Sequence, residues 1–332
     1  MNERTFKISV LVPIYGVETY IERCARSLFE QSISADIEYI FINDCTKDGS
    51  IEVLQKVISE FPELSIRIIE HEKNQGLAQA RKTAFCNAHG KYWYCCDSDD
   101  WVELDMLENL YKTAENEDAD IVSCGFLMET RTQSQEVCYD YEEDSMENIL
   151  SPKYFGWIYG AIWNKLIRAE LYLLNHIEPW NGINMWEDSC LTLRLRILSR
   201  KTIICPRCYY HYNVANNGSI TYSFKLNKVL EMIEAAKKIE HFLIQQGLES
   251  KGSDLIDYLK ITSKESLLSH PNYQNLRLFK ASFPEVNSRL VKYEPWGNVL
   301  KIRGAFTAYS PLWLSWLMLN FIKMVVGTFR KN

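Results

Sequence analysis

Residues 92–100, YWYCCDSDD, run a short aromatic, apolar segment straight into a turn that holds Asp97, Asp99 and Asp100. Carboxylates crowded at the end of a buried segment repel one another and lose hydration. A divalent cation reverses that penalty by supplying the charge that hard oxygen donors favour. The D-x-D spacing also sets Asp97 and Asp99 on one side of an extended backbone. Two further apolar runs end in polar turns, VPIYGVETY and INDCTKDGS. In the first, Pro13, Ile14 and Tyr15 can offer main-chain groups and a ring face to a base. In the second, Asp44 can accept from a base N–H, and the imide of uracil suits that acceptor. Plainer uses stay open: DSDD can cap a helix over 101–110, and Asp44 can form an Asx turn.

The elements that must position these residues alternate in type. FKISVLVP (6–13), IEYIFIND (37–44), SIRIIEH (65–71), KYWYCC (91–96) and ADIVSCGF (119–126) read as strands. Helical patterns fall at 17–31, 50–60, 76–90 (closed by Gly90) and from Glu103. Near-continuous apolar strands between helices predict an α/β fold, its mainly parallel sheet covered on both faces. Such sheets bind ligands at the strands' carboxyl ends, where all three polar turns lie. Residues 128–150 read as a loop or hairpin and 154–172 as an aromatic stretch. MWEDSCLTLRLRILSR (185–200) reads as helical, followed by a strand at 201–213 and helices at 224–247 and 254–269. The Glu187–Asp188 pair also suits a helix start, where the macrodipole favours acids.

A net charge of −6 over 332 residues argues against general nucleic-acid binding. The charge is uneven: from Arg289 onward seven Lys/Arg face one acid, and the first 288 residues carry −12. The 10 Cys show no disulfide spacing, and Cys205-x-x-Cys208 lacks a second pair. Cys95 and Cys96 read as small apolar strand residues, and no signal-peptide pattern opens the chain. The stretch SPLWLSWLMLNFIKMVVGTF (310–329) is the most apolar, interrupted by Ser315, Asn320 and Lys323, which form one narrow polar stripe at 100° per residue. Such a helix, with Arg330 and Lys331 after it, suits an anionic membrane surface, or packing on the protein itself or a partner.

ISVLVPIYGVETYIERCARSLFEQS, IFINDCTKDGS, EKNQGLAQARKTAF and YWYCCDSDDWVELDML resemble, in order and spacing, the N-terminal half of glycosyltransferase family 2 of the GT-A fold. AIWNKLIRAELY, WEDSCLTLRL and YYHYNVANNGSIT resemble later segments of bacterial members that build surface glycans. The likeness covers roughly residues 6–222 and implies an inverting, nucleotide-sugar-dependent transferase. Pro13, Tyr15, Glu18, Asp44, Asn74, Arg81, Asp97 and Ser98 then face the donor, Arg81 meeting either the pyrophosphate or an aspartate. The likeness also implies that Asp99 ligates Mn²⁺ or Mg²⁺ and that Asp188 is the catalytic base, with Glu187 next to it. Beside the resemblance, His211 can approach the metal or phosphate or make an ordinary strand hydrogen bond. Trp157, Trp163 and Lys165, with Glu187, can line the acceptor site or pack in the core. Two departures stand out: Gly16 replaces the usual Asn of the first donor loop, and NVANNGSIT lacks the usual Arg.

These readings imply a GT-A domain over 1–222, with a nucleotide-sugar half (1–125) and an acceptor and base half (126–222). A helical region (223–300) and an amphipathic, membrane-associating tail (301–332) follow. The expected reaction moves a hexose or N-acetylhexosamine from a UDP-sugar to a glycan or lipid-linked saccharide, in the cytoplasm on the inner face of the membrane. No nucleic acid is involved, and a homo-oligomer is left open. The alternative is a catalytically inactive nucleotide-sugar or glycan-binding protein.

Overall fold

A computed structural model describes residues 6–33, 36–141, 143–214, 224–293 and 297–329, with side chains as far as Met324. The segment lacking the expected Arg falls largely in 215–223, and Arg330 and Lys331 also lie outside the described residues. The chain divides into two units, Met1–Tyr222 and Ser223–Asn332.

The first unit opens with β1 (Phe6–Ile14), α1 (Ile21–Phe29), β2 (Ile37–Asn43), α2 (Ser50–Ile58), β3 (Ser65–Glu70), α3 (Leu77–Asn87) and β4 (Gly90–Cys95). It continues through β5 (Trp101–Val102), α4 (Met106–Asn116), the hairpin β6 (Ile121–Glu129) and β7 (Ser134–Val137), α5 (Met146–Ile149) and α6 (Trp157–Gly160). It closes with β8 (Lys165–Arg168), α7 (Ala169–Leu174), α8 (Glu187–Leu198) and β9 (Thr202–Asn213). Among the described residues these strands form one sheet in the order β3-β2-β1-β4-β8-β6-β9-β5, with β7 beside β6. The quartet β3-β2-β1-β4 is parallel, as the alternating pattern predicts. Beyond it the sheet is mixed: the short β8 runs antiparallel to both β4 and β6, which the aromatic run around it concealed.

Period-two burial builds the core. Ile8, Val10, Val12 and Ile14 of β1 share a face with Tyr39, Phe41, Tyr92 and Tyr94, and pack with Ile21, Leu28, Leu54 and Leu110 from the helices. Each such burial contributes about 1.5–3 kcal/mol before entropy is subtracted. Across the sheet, Trp93 stacks between Phe85 of α3 and Tyr172 of α7, at centroid distances of 5.2 and 4.9 Å. Cys95 and Cys96 are buried among these side chains. Gly90 does not close a helix. It begins β4, where a Cβ would lie 2.4 Å from the Ser9 nitrogen, so glycine permits the close approach of β1.

The second unit is helical: α9 (Leu226–Gln245), α10 (Ser253–Ser269), α11 (Tyr273–Ala281), α12 (Asn298–Tyr309) and α13 (Leu312–Phe329). The buried Lys264 ammonium donates to the Ser282 carbonyl (2.7 Å) and Asn287 Oδ1 (2.8 Å), satisfying carbonyls beyond the end of α11. No helix among the described residues is long and apolar enough to cross a membrane.

Candidate active site

The acidic turn lies where β4 leaves the sheet. The Asp100 N–H closes it onto the Asp97 carbonyl at 3.1 Å. Asp97 keeps a quarter of its side chain exposed, and its Oδ1 accepts from Arg81 Nη2 at 2.7 Å. Asp100 is buried: Oδ2 accepts from Tyr210 Oη (2.5 Å) and Oδ1 from the Asn213 N–H (2.7 Å). Desolvation, then the charges of Asp99 and Asp97, push its pKa well above the carboxylate range. Asn213 Nδ2 also donates to the Asp99 carbonyl at 3.2 Å, so β9 grips the turn at two points. Ser98 is buried within the turn. Asp100, Tyr210 and Asn213 were not singled out from the sequence. The third acid was visible there, but its partners lie 110 and 113 residues away.

These residues fit a hard divalent ion. Their donors are carboxylate oxygens, and Asp99 and Asp97 add to the burial that pushes Asp100 up, a repulsion that a cation relieves. Among the described residues the turn does not gather three carboxylates within 4.8 Å. It therefore suits an ion held by one or two carboxylates and completed by phosphate oxygens and water.

Arg81, on α3, is 2% exposed and bridges two elements. Its Nη1 donates to Glu187 Oε2 while Nη2 holds Asp97, so of its two expected partners it takes the aspartate. Glu187 is buried on this guanidinium and does not line an acceptor surface; burial pushes its pKa up to about 7 despite Arg81. Arg81 Nε and Glu187 Oε1 are buried with no hydrogen-bond partner. Asp188 follows in the first turn of α8, after Trp186 in a left-handed conformation (φ 60°) that bulky residues seldom adopt. Its Oδ1 accepts the Ser189 N–H at 2.7 Å, and burial raises its pKa, with Arg81 opposing.

The donor-loop candidates separate. Tyr15 is 55% exposed beyond β1, whereas Pro13 is buried inside the strand. Gly16 takes a left-handed φ of 69°, its N–H donating to Thr46 Oγ1 (2.8 Å), so the departure from Asn meets the turn's geometry. Glu18 ties the loops together: Oε2 accepts the Gly49 N–H (2.9 Å), and its own N–H donates to Asp48 Oδ2 (3.0 Å). Asp44 is 3% exposed; Oδ1 meets the Gln75 N–H and His71 Nδ1, and Oδ2 the Gly76 N–H, each at 2.8 Å. One acceptor position on Oδ2 remains. Asn74 is exposed beside this turn.

Three other expectations are corrected. Both ring nitrogens of His211 face carboxylates, Glu129 at 2.8 Å and Glu103 at 3.1 Å, and its ring stacks on Trp101, so neither nitrogen is free to ligate a metal. Trp163 is buried and stacks on Tyr210 at 4.3 Å. Lys165 is buried too, its ammonium donating to the Ile158 and Ala161 carbonyls and Asn164 Oδ1, and burial lowers its pKa to about 7. Both serve the core. Trp157, by contrast, is 56% exposed with a left-handed φ of 57°, its ring in T-shaped contact with Phe126 at 5.5 Å between centroids.

Residues 9–137 match the family model described as Glycosyl transferase family 2. Glycosyltransferase GlyA of Streptococcus pneumoniae is 31% identical over 231 residues, covering 65% of this chain and 31% of the relative. The cholesterol galactosyltransferase of Borreliella burgdorferi is 28% identical over 234 residues, covering 67% of this chain and 63% of the relative. The chain thus spans less than two thirds of either. Among solved structures, S. aureus TarS 1–349 in complex with UDP-GlcNAc superposes with a TM-score of 0.72 at 16% identity, covering 96% of this chain and 92% of that one. The mannosyltransferase PcManGT from Pyrobaculum calidifontis, in complex with GDP-Man and Mn²⁺, gives 0.55 at 17% identity, covering 91% and 85%.

Proposed function

Since this chain belongs to glycosyltransferase family 2 and has the GT-A fold, we propose that it moves a sugar from a UDP-sugar to a hydroxyl of a glycan or lipid-linked saccharide in surface-polysaccharide synthesis. The sugar is a hexose or N-acetylhexosamine, and its anomeric configuration inverts. One observation carries this reading: a single buried guanidinium, Arg81, joins the acidic turn to the helix start that bears Asp188. The pole for a leaving diphosphate and the candidate base are thereby fixed to one another. The UDP-GlcNAc complex of TarS supports the donor class, and the Mn²⁺ of the mannosyltransferase supports a divalent ion.

Asp188, its pKa raised by burial, takes the proton of the attacking hydroxyl. A Mn²⁺ or Mg²⁺ on Asp99, with Asp97 beside it, would supply the charge that stabilises the departing diphosphate. Tyr15 offers its ring to the base, and the remaining Oδ2 position of Asp44 accepts the imide N–H. Asn74 and Ser98 approach the ribose and phosphates, while Arg81 and Glu18 act through the loops they hold. Trp157 offers a flat face to acceptor sugar C–H groups. Supplied with UDP-, GDP- and dTDP-sugars and Mn²⁺, the protein should release nucleotide slowly from a UDP-sugar alone, and proton NMR of the product should show inversion. Tight UDP-sugar binding without release or transfer to any acceptor would make it a binding protein instead.

The second unit supports a peripheral membrane role. Trp313, Leu317, Phe321 and Met324 are exposed along one stripe of α13, while of the three polar residues Ser315 is buried and bonded to Ser310, Asn320 is half-buried and Lys323 is exposed. Val299, Ile302 and Tyr309 of α12 are exposed as well, in a region with a basic excess. Such a face partitions into an anionic interface. Wild-type protein should float with phosphatidylglycerol vesicles and a Leu317→Glu/Phe321→Glu variant should not; equal flotation would remove the tail from membrane binding.

A further inference from the structure

From the side chains at the end of the β6–β7 hairpin we infer a second metal site: Cys138 Sγ, Cys208 Sγ and the Glu136 carboxylate together hold one thiophilic divalent cation of the zinc class, water completing the shell. The three donor atoms lie within 4.8 Å of one another, and the two sulfurs are 3.4 Å apart. Zinc–sulfur bonds of about 2.3 Å in a tetrahedron need sulfurs only slightly further apart.

The backbone is shaped to make this meeting. β9 pairs Cys205 with Cys124 but Cys208 with Gly125, so Pro206 and Arg207 bulge out of register. Bulges re-aim side chains, and proline is tolerated there. The C-x-x-C spacing is therefore the bulge itself, and only its second cysteine joins the cluster. Gly125 completes the arrangement: a Cβ there would lie 2.6 Å from Cys208 Sγ, so the missing side chain makes room for the sulfur.

The Glu136 carboxylate lies beside both sulfurs and attracts a divalent ion, which displaces the thiol protons on binding. Two sulfurs select a softer ion than the oxygen donors of the acidic turn, so the sites do not compete. An ion here ties β7 to β9 two residues before Tyr210 and five before Asn213, the residues that grip the acidic turn.

The test is a cobalt(II) titration of the full-length, metal-stripped protein, kept reduced with a phosphine. One equivalent should produce a thiolate-to-cobalt charge-transfer band. Cys138→Ser and Cys208→Ser should abolish it, and Glu136→Gln should weaken binding at least ~10-fold, since even outer-shell partners of metal ligands cost 10–100-fold. Asp99→Asn should leave the band intact. If Cys208→Ser fails to fold, the exposed Cys138 carries the test. Absence of the band from wild-type protein, or its persistence in Cys138→Ser, would overturn the proposal. So would a two-hydrogen mass loss under peroxide, marking a Cys138–Cys208 disulfide, in protein that shows no band.

Discussion

Asp188→Asn is expected to lower the transfer rate by about 10²–10⁴-fold, the usual size of a general-base contribution. That corresponds to about 2.7–5.5 kcal/mol of barrier. Asn matches Asp in shape and can still accept the Ser189 N–H that orients the side chain, yet it cannot take a proton. UDP affinity should therefore persist while turnover falls, and equilibrium binding measured beside initial rates separates the two. The wild-type pH profile carries a second signature. Burial raises the Asp188 pKa, so the base is lost on acidification at a pH above the ordinary aspartate range. That acid limb should vanish from the residual rate of Asp188→Asn. Turnover at the wild-type rate in the variant would remove Asp188 from the mechanism.

Arg81→Met should be the most damaging substitution for stability. It leaves Glu187 buried and Asp97 partly buried without their shared cation, and breaking a buried ion pair on one side costs about 3–5 kcal/mol. Asp97 can recover some hydration, so Glu187 bears most of the loss. The pH dependence has a definite sign. The folded-state pKa of Glu187, about 7, lies above its ordinary 4.5, so the folded protein binds the extra proton and its stability falls as pH rises through that window. Without Arg81 the folded pKa climbs further, and the deficit of the variant should widen from pH 5 to pH 8 in urea melts. Arg81→Lys should recover little, because one ammonium cannot span two carboxylates as a planar fork does. A deficit that is small and constant with pH would mean the guanidinium is not the link between turn and helix.

Legibility in the sequence followed the range of the interactions involved. The parallel quartet could be read because each strand is a short apolar run set off by a helical period. β8 could not: KLIR is four residues inside an aromatic stretch, and only its pairing with β4 and β6 makes it a strand. The DSDD turn and the ED pair stood out as local charge anomalies. That one arginine joins them depends on a contact across 106 residues, which no local pattern encodes. Trp163 and Lys165 have the side chains of a sugar-binding surface, but composition does not say which way a side chain points, and both point into the core. His211 carried the chemistry of a metal ligand, yet its partners Glu103 and Glu129 are distant in sequence. The inward turn of Ser315 similarly depends on its bond to Ser310 rather than on helical periodicity alone.

Isothermal titration of UDP into wild-type and Asp99→Asn protein, each with and without Mn²⁺, bears most directly on the central claim that the acidic turn grips a donor's diphosphate through a divalent ion. Wild-type protein should bind UDP markedly tighter with Mn²⁺ present, and Asp99→Asn should lose that gain while remaining folded. Equal UDP affinity with and without Mn²⁺, unchanged by Asp99→Asn, would contradict the account.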